Sequence, residues 1–168
     1  MPEIRKATVS DIPLIRQLTF AIWPQTYSSL LSPQQIDYML ELIYSEASLQ
    51  KQMTTDGCTF IIVYDDGVPV AFASYSETAP YVWKLHKIYV LASQQGKGTG
   101  KFIIHYIADE IKPLNAKALQ LQVKRDNPAQ HFYAKLGFSI IASADFDIGN
   151  GYFMKDYIME LPVWFYKM

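Results

Sequence analysis

The sequence predicts an α+β fold on a mixed, largely antiparallel sheet of six to seven strands, and three observations carry that expectation. Between Leu14 and Met53 apolar residues recur at helical spacing, whereas beyond Cys58 short runs of β-branched and aromatic residues dominate. Asp65-Asp66-Gly67 separates two such runs in the manner of a hairpin turn, which makes those neighbours antiparallel. Strand-like KIYVL, helix-like KFIIHYIADEI and strand-like AKALQLQVK then follow one another, a crossover that adds parallel pairing. No linker or repeat interrupts the pattern, so residues 1–168 read as a single domain.

The elements follow in order. EIRKA is a short first strand. Ser10 is placed to cap a helix whose apolar face is Leu14, Ile15, Leu18 and Ile22. Pro24 has no N–H to donate and ends that helix, leaving PQTYSSLLSP as a loop. A second helix begins near Pro33, with Ile36, Met39, Leu40 and Ile43 as its stripe. SEASLQKQM makes a third, stopping near Asp56-Gly57. CTFIIVY and VPVAFASYSE are the arms of the hairpin, and YVWKLHKIYVL is a long strand beside them. Ile103, Ile107 and Ile111, at i, i+4 and i+8, give the crossover helix its apolar face. After AKALQLQVK, Asn127-Pro128 reads as N-cap plus first helical residue, and Gly137 closes the helix. Phe132 and Leu136 are expected to face the core, with Tyr133 one position around. FSIIASADF and YFMKDYIMELPV supply the last strands.

Bulk properties narrow the function. A net charge of −1 gives no electrostatic case for nucleic acid or an anionic membrane as partner. No stretch approaches the ~20 apolar residues that cross a bilayer. The start, MPEIRKATVSD, lacks the apolar core of a secretory signal, and Cys58 is the one cysteine. These features point to the reducing cytoplasm, with Cys58 as a small buried hydrophobe at a strand start. No His, Cys and carboxylate cluster has metal-ligand spacing, so no metal is expected.

QQGKGTGK, residues 94–101, is the segment that carries chemistry. A P-loop ending at Lys101 would need glycine at Gln95 and a hydroxyl residue at Phe102; one ending at Lys97 would need them at Leu91 and Gly98. A dinucleotide fingerprint from Gly96 would need glycine at Lys101, and from Gly98 at Ile103. Both patterns fail. What remains is Gln-x-x-Gly-x-Gly, made by Gln95, Gly98 and Gly100, after a strand and opening a helix. Glycines there let successive N–H groups converge on a pyrophosphate at the positive end of the new helix. Lys97 and Lys101 add mobile positive charge, whereas a plain turn would need one glycine.

With those residues in place, the chain resembles the GNAT superfamily of acyl-CoA N-acyltransferases, whose signature is Arg/Gln-x-x-Gly-x-Gly/Ala. NPAQHFYAKLGF resembles that superfamily's next element, and the element order fits over nearly the whole chain. The resemblance implies helices on both faces of the sheet and acetyl-CoA as co-substrate. It implies cofactor contacts from Ile88, Tyr89 and Val90 through main-chain groups, and from Gln95, Gly96, Lys97, Gly98, Thr99, Gly100 and Lys101 at the bend. Asn127, Tyr133 and Lys135 would also meet the cofactor. Tyr133 is the general-acid candidate, because a phenol of pKa about 10 can protonate a thiolate of pKa about 8.5 with little penalty. The base stays open. YVWKLHKIYV has no carboxylate; His86 stands where one is expected, Glu77 on the preceding strand is the second choice, and ordered water the third.

The acceptor is expected to be a small-molecule amine. AIWPQTYSSLLSPQQIDYMLELIYS resembles, loosely, the corresponding part of bacterial spermidine/spermine N-acetyltransferases, which implies a polyamine-like acceptor. Trp23, Tyr27, Glu77 and Trp83 are the candidate acceptor contacts, with Asp37, Glu41 and Glu46 as further acids. A non-catalytic acyl-CoA sensor with the same fold is the alternative to an enzyme. The C-terminal LPVWFYKM gathers aromatics that a last core strand or a homodimer seam would bury.

Overall fold

The computed structural model describes residues 1–165. Seven strands form one mixed sheet in the order β1-β2-β3-β4-β5-β7-β6. They are β1 (Pro2–Lys6), β2 (Thr59–Asp65), β3 (Val68–Ala79), β4 (Val82–Val90), β5 (Ala118–Lys124), β6 (Ser139–Gly149) and β7 (Tyr152–Pro162). The helices are α1 (Ile12–Tyr27), α2 (Pro33–Tyr44), α3 (Glu46–Thr54), α4 (Thr99–Ile111) and α5 (Ala129–Lys135). Antiparallel ladders join β1 to β2, β2 to β3, β5 to β7 and β7 to β6, and β4 runs parallel to β5. The predicted mixed α+β sheet is therefore the one observed. Among the described residues no helix is long and apolar enough to cross a membrane.

The chain divides into two compact units. The first holds Met1–Ser76 and Lys87–Ile103. Its core gathers Ile15, Leu18 and Ile22 of α1, Leu49 of α3, and the wholly buried run Phe60–Val63 of β2. Asp66 (φ 52°) and Gly67 (φ 79°) make the β2–β3 turn with two left-handed residues, the geometry that suits a two-residue hairpin. Ser32 and Ser45 cap α2 and α3, their side chains accepting from the N–H groups of Gln35 and Ser48. Tyr44 rather than Leu40 or Ile43 completes the buried side of α2.

Three expectations fail here. Ser10 does not cap the first helix: its hydroxyl meets that of Thr8 at 2.7 Å, while the Thr8 N–H donates to Asp11 Oδ2 at 2.8 Å. Pro24 does not end α1, and the expected loop begins only after Tyr27. Pro24 lies inside the helix, which closes one turn later with Ser28 N–H donating to the Pro24 carbonyl at 3.1 Å. A helical proline costs about 3 kcal/mol, and here the packing of Trp23 against Tyr27, ring centroids 4.5 Å apart, holds the last turn in place. Cys58 is half-buried rather than buried.

The second unit takes Glu77–His86 and the chain from Ile104 on. Leu85, Ile104, Ile107, Ile111, Leu119, Leu121, Met159 and Leu161 form its core, so the predicted stripe of the crossover helix is the buried one. Beyond β7 a short turn, Val163–Phe165, follows. Val163 is buried, but Trp164 is 67% exposed, and Tyr166, Lys167 and Met168 of the aromatic C-terminus lie outside the described residues.

Candidate active site

In the first unit the chain leaves β4 at Val90 and passes through a short turn, Ala92–Gln94. Gly96 and Gly98 then take φ of 82° and 79°, the left-handed region. A Cβ at either would meet nothing within 4 Å, so the backbone conformation alone demands glycine. Gly98 is the residue before α4, and its carbonyl accepts from Phe102 N–H at 3.0 Å. The N–H groups of Thr99, Gly100 and Lys101 therefore belong to the first turn, where a helix has no acceptor of its own to offer. Gly100 lies inside α4, away from any positive φ, so torsion does not demand glycine there. Gln95, Lys97 and Lys101 are exposed at the same bend. Converging amides, a helix N-terminus and two free-swinging cations fit an anion such as a diphosphate.

The same unit places Tyr89 of β4 in an aromatic cluster. Its ring lies 5.8 Å from Trp23 and 5.7 Å from Phe72, and its hydroxyl meets that of Tyr27 at 2.9 Å. Trp23 is enclosed, whereas Tyr27 and Tyr89 are half-buried. The Tyr44 phenol, fully enclosed beside them, is pushed well above its ordinary pKa, chiefly by burial. Ile88 and Val90, like Tyr89, are half-buried. Lys87 was not foreseen. It is buried, donates to Gln52 Oε1 at 2.7 Å, and lies over the rings of Tyr44 and Phe60 at 5.5 and 5.6 Å. Gln52 Nε2 in turn holds the Ile43 carbonyl at 2.9 Å, tying α2 and α3 to this strand. Asp37 and Glu41 are exposed, and Glu46 pairs with Arg16 at 3.6 Å, so these acids lie on solvated helix faces.

In the second unit Tyr133 is the buried residue of α5, and Phe132, at 38% exposure, is not. The expectation that Phe132 and Leu136 face the core is corrected by the way the helix ends. Phe138 N–H donates to the Tyr133 carbonyl at 3.1 Å, and Gly137 N–H to that of Ala134 at 3.1 Å. This is a Schellman closure, with Gly137 at φ 109° and its customary apolar contact between Phe138 and Tyr133, ring centroids 5.7 Å apart. That closure, more than helical periodicity, fixes which way Tyr133 turns. Asn127 Oδ1 accepts from Ala129 N–H at 2.9 Å, capping the first turn as expected, although the regular helix starts one residue later than read. Lys135 is exposed, while His86 and Trp83 on β4 are half-buried. Glu77 is exposed and accepts the Tyr81 N–H at 3.1 Å, which braces the β3–β4 turn. The β4–β5 register runs from Val82–Ala118 to Leu85–Leu121, and β4 continues through His86–Val90 beyond its last pair. Among the described residues no group of His, Cys, Asp or Glu could hold a metal ion.

Strand order, glycine bend and capped α5 define the class as an acetyltransferase fold. The model of the acetyltransferase (GNAT) family matches residues 15–138, and the chain belongs to that family. It is 26% identical over 154 residues to the uncharacterized N-acetyltransferase YuaI of Bacillus subtilis, covering 89% of this chain and 87% of that one. The uncharacterized N-acetyltransferase Rv2669 of Mycobacterium tuberculosis is 25% identical over 152 residues, covering 90% and 97%. Among solved structures, the PaiA N-acetyltransferase of Thermoplasma acidophilum, crystallised with coenzyme A, superposes with a TM-score of 0.82 at 23% identity, covering 96% and 99%.

Proposed function

We propose that this protein transfers the acetyl group of acetyl-CoA to a primary amine of a small molecule by direct attack in a ternary complex. The observation that supports the reading is the bend before α4: two left-handed glycines lead into the first turn, whose Thr99, Gly100 and Lys101 amides have no acceptor within the helix and suit an anion. In this reading those amides, with Lys97 and Lys101, hold the diphosphate. Main-chain groups of Ile88, Tyr89 and Val90, past the last β4–β5 pair, hold the pantetheine arm and the thioester oxygen. The amine nitrogen attacks the carbonyl carbon, the C–S bond breaks, and Tyr133 gives its phenolic proton to the departing sulfur. His86 is the preferred base, since the carboxylate of Glu77 already accepts a backbone N–H. Asn127 and Lys135 contribute at the cofactor, and Tyr27 (backed by Trp23) and Trp83 meet the acceptor. A polyamine-like acceptor remains the favoured class, and the cytoplasm the favoured compartment.

The test is a panel of amines, spermidine and spermine included, followed by release of free CoA, alongside thermal shift with CoA. Stabilisation by CoA together with amine-dependent thiol release is the expected result. CoA binding without turnover on any amine would favour a sensor, and no stabilisation by CoA would end the reading.

A further inference from the structure

The antiparallel register of β5 and β7 sets Gln120 opposite Glu160, Gln122 opposite Ile158 and Lys124 opposite Asp156. Opposed residues project to the same side of a sheet, so these six share one face, which Lys84 joins from β4 opposite Gln120. All are half-buried except Asp156, which is 4% exposed. Two glutamine–carboxylate pairs cross the strands. Gln120 Nε2 donates to Glu160 Oε1 at 2.9 Å, and Gln122 Nε2 reaches Asp156 Oδ2 at 3.4 Å. Gln122 Oε1 accepts from Lys84 Nζ, which fixes the orientation of its amide. Asp156 Oδ1 has no hydrogen-bond partner among the described residues.

Of the cations that act on Asp156, Lys124 also pairs with Asp126 at 3.1 Å and Arg125 with Asp145 at 2.6 Å. Burial raises the Asp156 carboxyl above its ordinary pKa, and Gln122, Lys124, Lys84 and Arg125 oppose that rise. A buried carboxylate oxygen without a donor is costly, and an amide or an apolar residue would avoid the cost. A carboxylate is the better choice only where a cationic or strongly polarised N–H comes to it. Lys84, Gln122 and Lys124, all long side chains, stand on the same face around it.

We propose that Asp156 is a specificity residue whose Oδ1 accepts a hydrogen bond from a second ammonium group of the acceptor, remote from the nitrogen that is acetylated. This rests on the N-acetyltransferase reading above. It predicts that the enzyme prefers acceptors with two amino groups to those with one.

The probes are 1,4-diaminobutane and n-butylamine, with wild type and Asp156→Asn, by steady-state kinetics and by thermal shift in the presence of CoA. Loss of one charged hydrogen bond corresponds to about tenfold or more in affinity. Wild type should favour the diamine by that factor in KM and be further stabilised by it, and Asp156→Asn should lose the preference. A preference unchanged in the variant, or absent from wild type in both kinetics and thermal shift, overturns the proposal. Should Asp156→Asn fail to fold, a wild-type crystal soaked in 1,4-diaminobutane decides. A nitrogen within hydrogen-bond distance of Oδ1 supports the proposal, and diamine bound only elsewhere overturns it. CoA stabilisation of the wild type, measured first, separates the two failures, since its absence sinks the acetyltransferase reading itself.

Discussion

Two alanine substitutions at the bend before α4 should move stability in opposite directions and cofactor binding in the same one. Gly100 lies within the first turn of α4, away from any positive φ. Replacing a helical glycine by alanine gains about 0.5–1 kcal/mol, because alanine loses less backbone freedom on folding. Gly98, at φ 79°, has open space around a would-be Cβ. Gly98→Ala therefore meets only the left-handed torsion, which costs an L-residue about 1–2 kcal/mol. In a chain of this size 1 kcal/mol moves the melting midpoint by roughly 2–4 °C. Without ligand, Gly100→Ala should melt about 1–4 °C above wild type, and Gly98→Ala about 2–8 °C below it. Each should lose at least one charge-assisted hydrogen bond to the diphosphate, a weakening of roughly 10- to 150-fold in Kd. Scanning fluorimetry without ligand and titration calorimetry with CoA measure the two effects separately. Gly100→Ala binding CoA as tightly as wild type would refute the expectation that the diphosphate comes close to this residue.

The other predictions concern α5 and its neighbours. Tyr133→Phe keeps the ring that packs on Phe138 but not the proton, so turnover should fall about 10²- to 10⁴-fold while CoA stabilisation persists; unchanged turnover across the pH range would remove Tyr133 as the acid. Gly137→Ala forces φ 109° on an L-residue and brings its Cβ to 3.1 Å from Leu161 Cδ1. A loss of about 2 kcal/mol or more by urea unfolding is expected, and a loss within error would show that the helix closure is not under torsional demand. The raised pKa of Asp156 means that the folded state holds that proton more tightly than the unfolded state does. Wild type should therefore lose stability relative to Asp156→Asn as pH rises from the ordinary aspartate range through the raised value. Parallel melting curves from pH 3.5 to 7 check the sign, and a constant difference would contradict it.

The features legible in the sequence are those whose cause is local. Asp65-Asp66-Gly67 announces its hairpin because two left-handed residues in a row are needed there, and few others tolerate them. The glycine bend is legible for the same reason, and its failure to match two other phosphate motifs removed the main competitors. Pro24 defeats a local rule, a helix broken by a missing N–H, because the last turn of α1 is held by the packing of Trp23 against Tyr27, whose hydroxyl also meets that of Tyr89, 62 residues away. The motif around Tyr133 is legible in the sequence, but periodicity turns that residue the wrong way. The regular part of α5, Ala129–Lys135, is too short for a stripe to dictate orientation, and the Gly137 closure decides instead.

Lys87 and Asp156 were illegible for a different reason. A charged residue in a strand reads as solvent-facing unless its partner is known, and the partners lie 35 residues away at Gln52 and 34 away at Gln122. Both partners are neutral amides, so no complementary charge in the sequence points from one to the other. The same asymmetry bears on the missing base. β4 carries no carboxylate, while among the described residues the buried one stands on β7 at Asp156. The two proposals above divide the work, with Asp156 holding a distal ammonium and His86 taking the proton from the amine that is acetylated. If that division holds, substituting His86 should depress turnover for mono- and diamines alike, whereas substituting Asp156 should separate them. A His86→Gln variant that discriminates between the two acceptors would place recognition and proton removal in the same residue and undo the division.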